Sequence, residues 1–217
     1  MRRYLVVSLC LCLMSFSCSE TRRFPPDPSI PGTVHVDHMQ GGAAFETYRT
    51  IDLTPSAGVL RQTSESPTAG REKSSTFSTG ALDHCWNKPD AASQDGLYVA
   101  KCSSTQILQG ITDSIEIGVS RWDTNVTVWS RTFDLGWYVA GLGWGPRSPQ
   151  LAILVQSSFP QKGIIPAILR FTGHPPPDET VHLLIVSAST KAVRDFVLIE
   201  HASYGTSRLL GWDDSSK

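Results

Sequence analysis

The sequence predicts an all-β chain assembled from repeated four-stranded antiparallel units, and three observations predict it. Apolar residues recur with a period near two rather than that of a helix along most of the chain. Glycine and proline, 17 and 14 residues respectively, interrupt those runs at short intervals. One pattern also recurs: an apolar run ending in Trp, a turn, then a second apolar run ending in two serines.

Composition bounds the rest. At 217 residues, 40% apolar and 18% charged, the chain can bury a sizeable core as one domain. A formal net charge of −1 gives no electrostatic case for nucleic acid as a partner.

The elements follow in chain order. "MRRYLVVSLCLCLMSFSCSE" opens with Arg2 and Arg3, followed by an apolar stretch from Tyr4 to Met14. That stretch is too short to span a bilayer, which needs about 20 residues. With the small residues Ser15 and Ser17 ahead of Cys18, residues 1–17 read as an export signal. "SFSC" resembles the lipobox of bacterial lipoproteins, with Ser15 and Phe16 departing from its usual residues. The resemblance implies cleavage before Cys18 and lipid attachment to it, anchoring the protein at the membrane of the bacterial cell envelope. Ordinary cleavage between Ser17 and Cys18 also fits, and would give a soluble periplasmic or secreted protein. Residues 18–32 contain "RRFPPDPSIPG" and read as a semi-rigid tether. Residues 33–217 are the expected β domain.

Five cysteines reduce to a pair. Cys10 and Cys12 leave with the signal and Cys18 takes the lipid, so Cys85 and Cys102 are the candidate disulfide. Their spacing resists it. If Cys85 lies opposite Tyr98, Cys102 is four residues further on, roughly 13 Å away at strand rise. A disulfide needs Cα atoms within about 7 Å.

"GLGWGPRSPQLAILVQSS" around Trp144 shows the repeat most clearly. "STGALDHCWNKPDAASQDGLYVAKCSS" repeats it at Trp86, and "GTSRLLGWDDSSK" repeats its first half at Trp212. Between these lie two matching hairpins, "IGVSRWDTNVTVWSRTF" and "LIVSASTKAVRDFVLI". One unit therefore reads as strands a to d, with units at about 79–134 and 137–200. Trp86, Trp144 and Trp212 hold the end of strand a and are expected to be structural.

Four antiparallel strands per repeat is the layout of a β-propeller blade. The turns after these Trp residues resemble those of WD40-like and TolB-type blades, with Gly145-Pro146-Arg147-Ser148-Pro149 standing at that turn. The resemblance implies a partial propeller-like array. A ring closed by terminal strands would take "TVHV" as b, "ETYRTIDL" as c and "GVLRQTSES" as d, giving a third blade. A β-sandwich is the alternative. Open sheet edges in so small an array would favour homo-oligomer formation.

Motifs for chemistry are sparse. No phosphate-binding loop, nucleophile elbow or zinc signature occurs, so no cofactor and no metal is expected. "HVDHM" brings His35, Asp37 and His38 together, but His35 and His38 face opposite sides of a strand. "GHPPPDETVH" offers His174, Asp178, Glu179 and His182 around a stiff surface loop. Asn125-Val126-Thr127 reads as a turn. Trp122 falls in the c–d turn and is the candidate exposed contact. These features imply an exported, lipid-anchored binding or scaffold protein whose β surface meets a protein or glycan partner. The rival is a hydrolase using Asp83, Asp113, Asp123, Asp178 and Asp213. A third reading is a propeller fragment without independent activity.

Overall fold

The computed structural model describes residues 18–42, 45–65, 91–108, 111–134, 137–157, 179–202 and 205–214. The expected export signal, Cys85 and Trp86 lie outside these residues. The described chain is all-β, in three antiparallel sheets.

The unit-one sheet has the order β5 (Ala91–Ala92), β6 (Tyr98–Leu108), β7 (Ile111–Arg121), β8 (Thr127–Asp134). The central sheet comprises β9 (Trp137–Trp144), β10 (Gln150–Ser157), β11 (Glu179–Ser187) and β12 (Val193–Ala202), neighbouring in sequence order. These are the two expected four-stranded units. Their c–d turns share one conformation, with Asn125 at φ 53° and Lys191 at φ 61°. Asn125 N–H donates to the Arg121 carbonyl and Lys191 N–H to that of Ser187, both at 2.8 Å. Asn tolerates this left-handed backbone better than most residues, which accounts for its place in the turn.

The third sheet joins the two ends of the described chain. Its order is β1 (Cys18–Arg23), β4 (Val59–Glu65), β3 (Phe45–Thr54), β2 (Thr33–Gly42), β13 (Gly205–Asp213). We term it the closing sheet. β13 supplies strand a and pairs with β2 from Gly205↔Gln40 to Asp213↔Thr33, with a bulge between Leu209 and Gly211. β2, β3 and β4 coincide with the three segments expected as strands b, c and d.

Two features depart from expectation. In unit one, strand a runs on to Ala92, beyond the position expected for its end. β5 ends at Ala92, which pairs with Val99, as Trp144 pairs with Leu151 and Trp212 with Val34. Ala92 therefore occupies the repeat position. The cause is the Ser93–Leu97 turn: Tyr98 N–H donates to Ser93 Oγ and Leu97 N–H to Asp95 Oδ1, both at 3.0 Å. The register assumed for Cys85 opposite Tyr98 thus differs from the register observed. Cys102 is disulfide-bonded.

The second departure is the tether. Residues 18–23 form β1 along β4, from Cys18↔Ser64 to Arg23↔Val59. Residues 24–32 then fold against the domain. Ile30 is buried, Phe24 packs on the core, and Arg194 Nε donates to Asp27 Oδ2 at 2.7 Å. Burial of Phe24 and Ile30 offsets the entropy of ordering a segment that its prolines already stiffen.

The central sheet is buried on both faces. Ala152 and Leu154 of β10 pack with Val34, Val36, Ile51 and Leu53 of the closing sheet. Leu151, Ile153 and Val155 pack with Ile117, Val119 and Phe133 of the unit-one sheet. This explains why "LAILV" is continuously apolar instead of alternating. The inner strands β9 and β13 approach closely, because a Cβ on Gly141 would lie 2.7 Å from the Leu209 Cβ. The outward faces of both flanking sheets are polar. Lys101, Glu116 and Thr132 line one, and Thr50, Arg61 and Arg208 the other, all exposed.

Candidate functional site

The sequence-expected contact is a hairpin tip. Trp122, in the turn between β7 and β8, is 70% exposed. Leu97 at 47% and Val126 at 57% flank it. Backbone hydrogen bonds hold the three together: Trp122 N–H donates to Leu97 O at 2.8 Å, and Arg121 N–H to Val126 O at 2.9 Å. The same two bonds recur in the central sheet, from Ala188 to Pro149 and from Ser187 to Ala192. There the residue matching Trp122 is Ala188, which is 2% exposed and part of the core. One backbone geometry thus serves two ends. Beside Trp122, Arg121 and Asp123 form two hydrogen bonds at 3.0 and 2.7 Å. That pairing lowers the Asp123 carboxyl below its ordinary value and leaves Arg121 and Asp123 without net charge between them.

The remaining tryptophans differ. Trp129, Trp137, Trp144 and Trp212 are partly buried against the two cores. Trp144 lies 6.4 Å from the Tyr98 ring, and Trp212 Nε1–H donates to Pro31 O at 2.9 Å. Both pack against neighbouring parts of the fold.

The "HVDHM" histidines face opposite ways, as their spacing requires. His35 points outward from β2, with Nδ1 2.7 Å from Asp52 and Nε2 3.1 Å from Asp213. Partial burial pulls its pKa down, but hydrogen bonds to the two aspartates and then their charges outweigh it, so the value is raised. His38 points inward, 1% exposed, with Nδ1 3.0 Å from Ser207 Oγ. Ser207 Oγ donates on to Gln156 Oε1 at 2.8 Å. Burial, then the Arg49 charge, lower His38 to about 4. A Cβ on Gly205 would lie 2.5 Å from the His38 ring, so glycine is required beside it. This buried network ties β2, β13 and β10 together. Among the described residues no cluster of three or more metal-ligating side chains occurs.

The carboxylates of the hydrolase reading are not brought together where they are described. Asp123 is held by Arg121, and Asp213 reaches His35. Asp83 and Asp178 lie outside the described residues, as do His174 and the side chains of Asp113, Glu179 and Cys18.

A cleft that sequence reasoning did not assemble lies between β8 and the central sheet. It encloses about 260 Å³ and is lined by Arg131, Phe133, Trp137, Val155, His182 and Asp195, among others. His182 Nδ1 lies 2.8 Å from Asp195 Oδ1. The Trp137 ring meets the His182 ring edge-on at 5.5 Å and lies 6.4 Å from the Phe133 ring. The Arg131 guanidinium sits 5.1 Å over Phe133. One signal was present in the sequence. Arg131 alternates with Trp129 and Phe133, and Asp195 with Val193 and Val197, placing a charge in the apolar phase of each strand.

No helix among the described residues is long and apolar enough to cross a membrane. No family model matches the chain, and no curated protein matches it. Among solved structures, an ACO/RPE65 chimera matches with 8% identity and a TM-score of 0.29, over 78% of this chain and 38% of that one. A mutant of the Synechocystis apocarotenoid oxygenase matches with 9% identity and a TM-score of 0.27, over 85% and 56% respectively. The chain spans less than two thirds of either, and neither likeness identifies what it does.

Proposed function

We propose that this chain is an exported, lipid-anchored binding protein that presents a rigid apolar tip to a protein partner. One observation carries the reading: Trp122, Leu97 and Val126 are exposed together on a hydrogen-bonded turn whose counterpart in the next unit is buried. A protein is favoured over a glycan here. The neighbours of Trp122 are aliphatic, and the adjacent charged groups satisfy one another instead of facing a ligand. Aromatic anchors of this kind, fixed before contact, lose little entropy on binding.

Export and anchoring at Cys18 rest on the signal-like residues 1–17 and the lipobox resemblance. The disulfide at Cys102 is in keeping with an oxidising compartment. The likeness to propeller blades is supported by the sharing of one sheet between β13 and β2 to β4. The polar outer faces of the flanking sheets weigh against a fragment that needs further blades to cover it.

The test is site-specific photocrosslinking in the cells that make the protein. A photoreactive residue at position 122 should give one discrete protein adduct, and the same residue at exposed Thr132 should not. Equal adducts at both positions, or none at 122, would overturn the reading. Mass spectrometry of the mature protein should show a diacylated Cys18, and an unmodified Cys18 would remove the anchor.

A further inference from the structure

The central sheet meets a neighbour on each face, and the spaces beside its outer strand β12 differ on the two sides. Between the closing and central sheets, residues 22–30 fill the gap. The Phe24 ring meets that of Phe196 at 5.1 Å and a tilt of 58°, and Arg22 Nη2 donates to Leu198 O at 2.6 Å. Between the unit-one and central sheets, no described segment fills it. There β12 leaves Val193 and Val197 each 38% exposed, and the 260 Å³ cleft remains.

We propose that this cleft binds a single sugar ring bearing a carboxylate, a uronic acid unit. The polar groups fall into two sets with different demands. Arg131 has no acidic partner among the described residues, and its guanidinium rests on the Phe133 ring. The guanidinium lies over the ring with its N–H groups open to a ligand, an arrangement suited to bidentate capture of a carboxylate.

His182 and Asp195 form the second set. An ionised carboxylate only accepts, so His182 Nδ1 donates to Asp195. In the neutral ring Nε2 is then an acceptor for a ligand hydroxyl, and the second oxygen of Asp195 is another. The T-shaped contact with Trp137 holds the imidazole in place. Trp137, partly buried, offers an apolar wall for the C–H face of a ring.

Size and chemistry together select the ligand. The volume is below the roughly 300–1,000 Å³ of sites for larger ligands, which suits one ring and not an extended chain. A neutral sugar leaves Arg131 unanswered. A simple carboxylate leaves the His182–Asp195 acceptors and the Trp137 wall unused. The site is separate from the Trp122 tip: β8 runs from that turn to Phe133, about 20 Å at strand rise. The inference does not rest on the proposed protein partner.

Calorimetric titration of the purified protein with glucuronic acid, glucose and acetate tests it. Glucuronic acid should bind about tenfold or more tightly than either comparator, the margin expected of one charged, bidentate contact. Arg131→Gln should reduce that affinity to the level of glucose. His182→Phe should weaken glucuronic acid and glucose alike while leaving acetate unchanged. Arg131 is exposed, so its variant should retain the wild-type near-ultraviolet circular dichroism. Equal affinity for glucuronic acid and acetate, indifference to Arg131→Gln, or no binding at millimolar ligand would overturn the assignment. Crosslinking from position 122 should be unchanged in Arg131→Gln, which separates failure of this site from failure of the tip.

Discussion

His35 and His38 occupy opposite faces of β2, and pH acts on them in opposite senses. His38 is held near 4 against an ordinary 6.5 by burial and then by the Arg49 charge. The folded chain therefore stays neutral at His38 while the unfolded chain takes up a proton as the pH falls below 6.5. Stability is undiminished by this group above 6.5 and declines toward pH 4, by on the order of 3 kcal/mol. His35, with its pKa raised by Asp52 and Asp213, contributes stability that is present below 6.5 and lost as pH rises through its raised value. Urea unfolding of wild type and His38→Asn between pH 4 and 8 should show the variant losing less stability on acidification. Parallel profiles would show that His38 does not carry the effect. Much at this scale was open to reading from sequence. Period-two alternation already separated His35 from His38, and the c–d turn already pointed to Trp122. Arg131 and His182 were not paired in advance, since their meeting depends on how two sheets face each other across many intervening residues.

The approach of β9 to β13 shows how elements constrain one another. Gly141 has the Leu209 Cβ where its own Cβ would sit, whereas Gly118 on β7 has nothing within 4 Å. Gly141→Ala should cost about 1–3 kcal/mol through overpacking. Gly118→Ala should be neutral or slightly stabilising, because alanine narrows the unfolded ensemble. Thermal unfolding of both variants checks this, and a Gly141→Ala protein as stable as wild type would mean that the inner strands can separate without loss. The sequence was most legible for β2, β3 and β4, where alternation and turn residues agree. It misled at β5, where strand a was expected to end at Trp86 with a long turn through Pro89 and Gly96; pairing continues to Ala92, and Ser93, Asp95 and Gly96 form a shorter turn. It missed β1, since "CSETRR" has little strand propensity and is held in place by the edge of β4. Pairing of that kind comes from a partner, and local composition carries no trace of it.

At the scale of the molecule, the closing sheet determines whether the three sheets form one cooperative body. β13 covers the edge of β2, places Leu209 and Trp212 against the closing core, and carries Ser207 into the His38 network. Removing residues 205–217 should abolish cooperative unfolding and the near-ultraviolet signal of the packed tryptophans. A truncated chain that still unfolds in one sharp transition would show that the other sheets suffice. The closing sheet also sets an order in time. Its first and last parts are distant in sequence, with Trp212 bonding to Pro31 across 181 residues. A ribosome delivers β2, β3 and β4 well before β13, so the nascent chain lacks the strand that locks it until some 140 further residues have emerged, about 3.3 Å of extended chain apiece. Under the proposed export, that order would keep the chain threadable, and the lock would engage on the far side of the membrane.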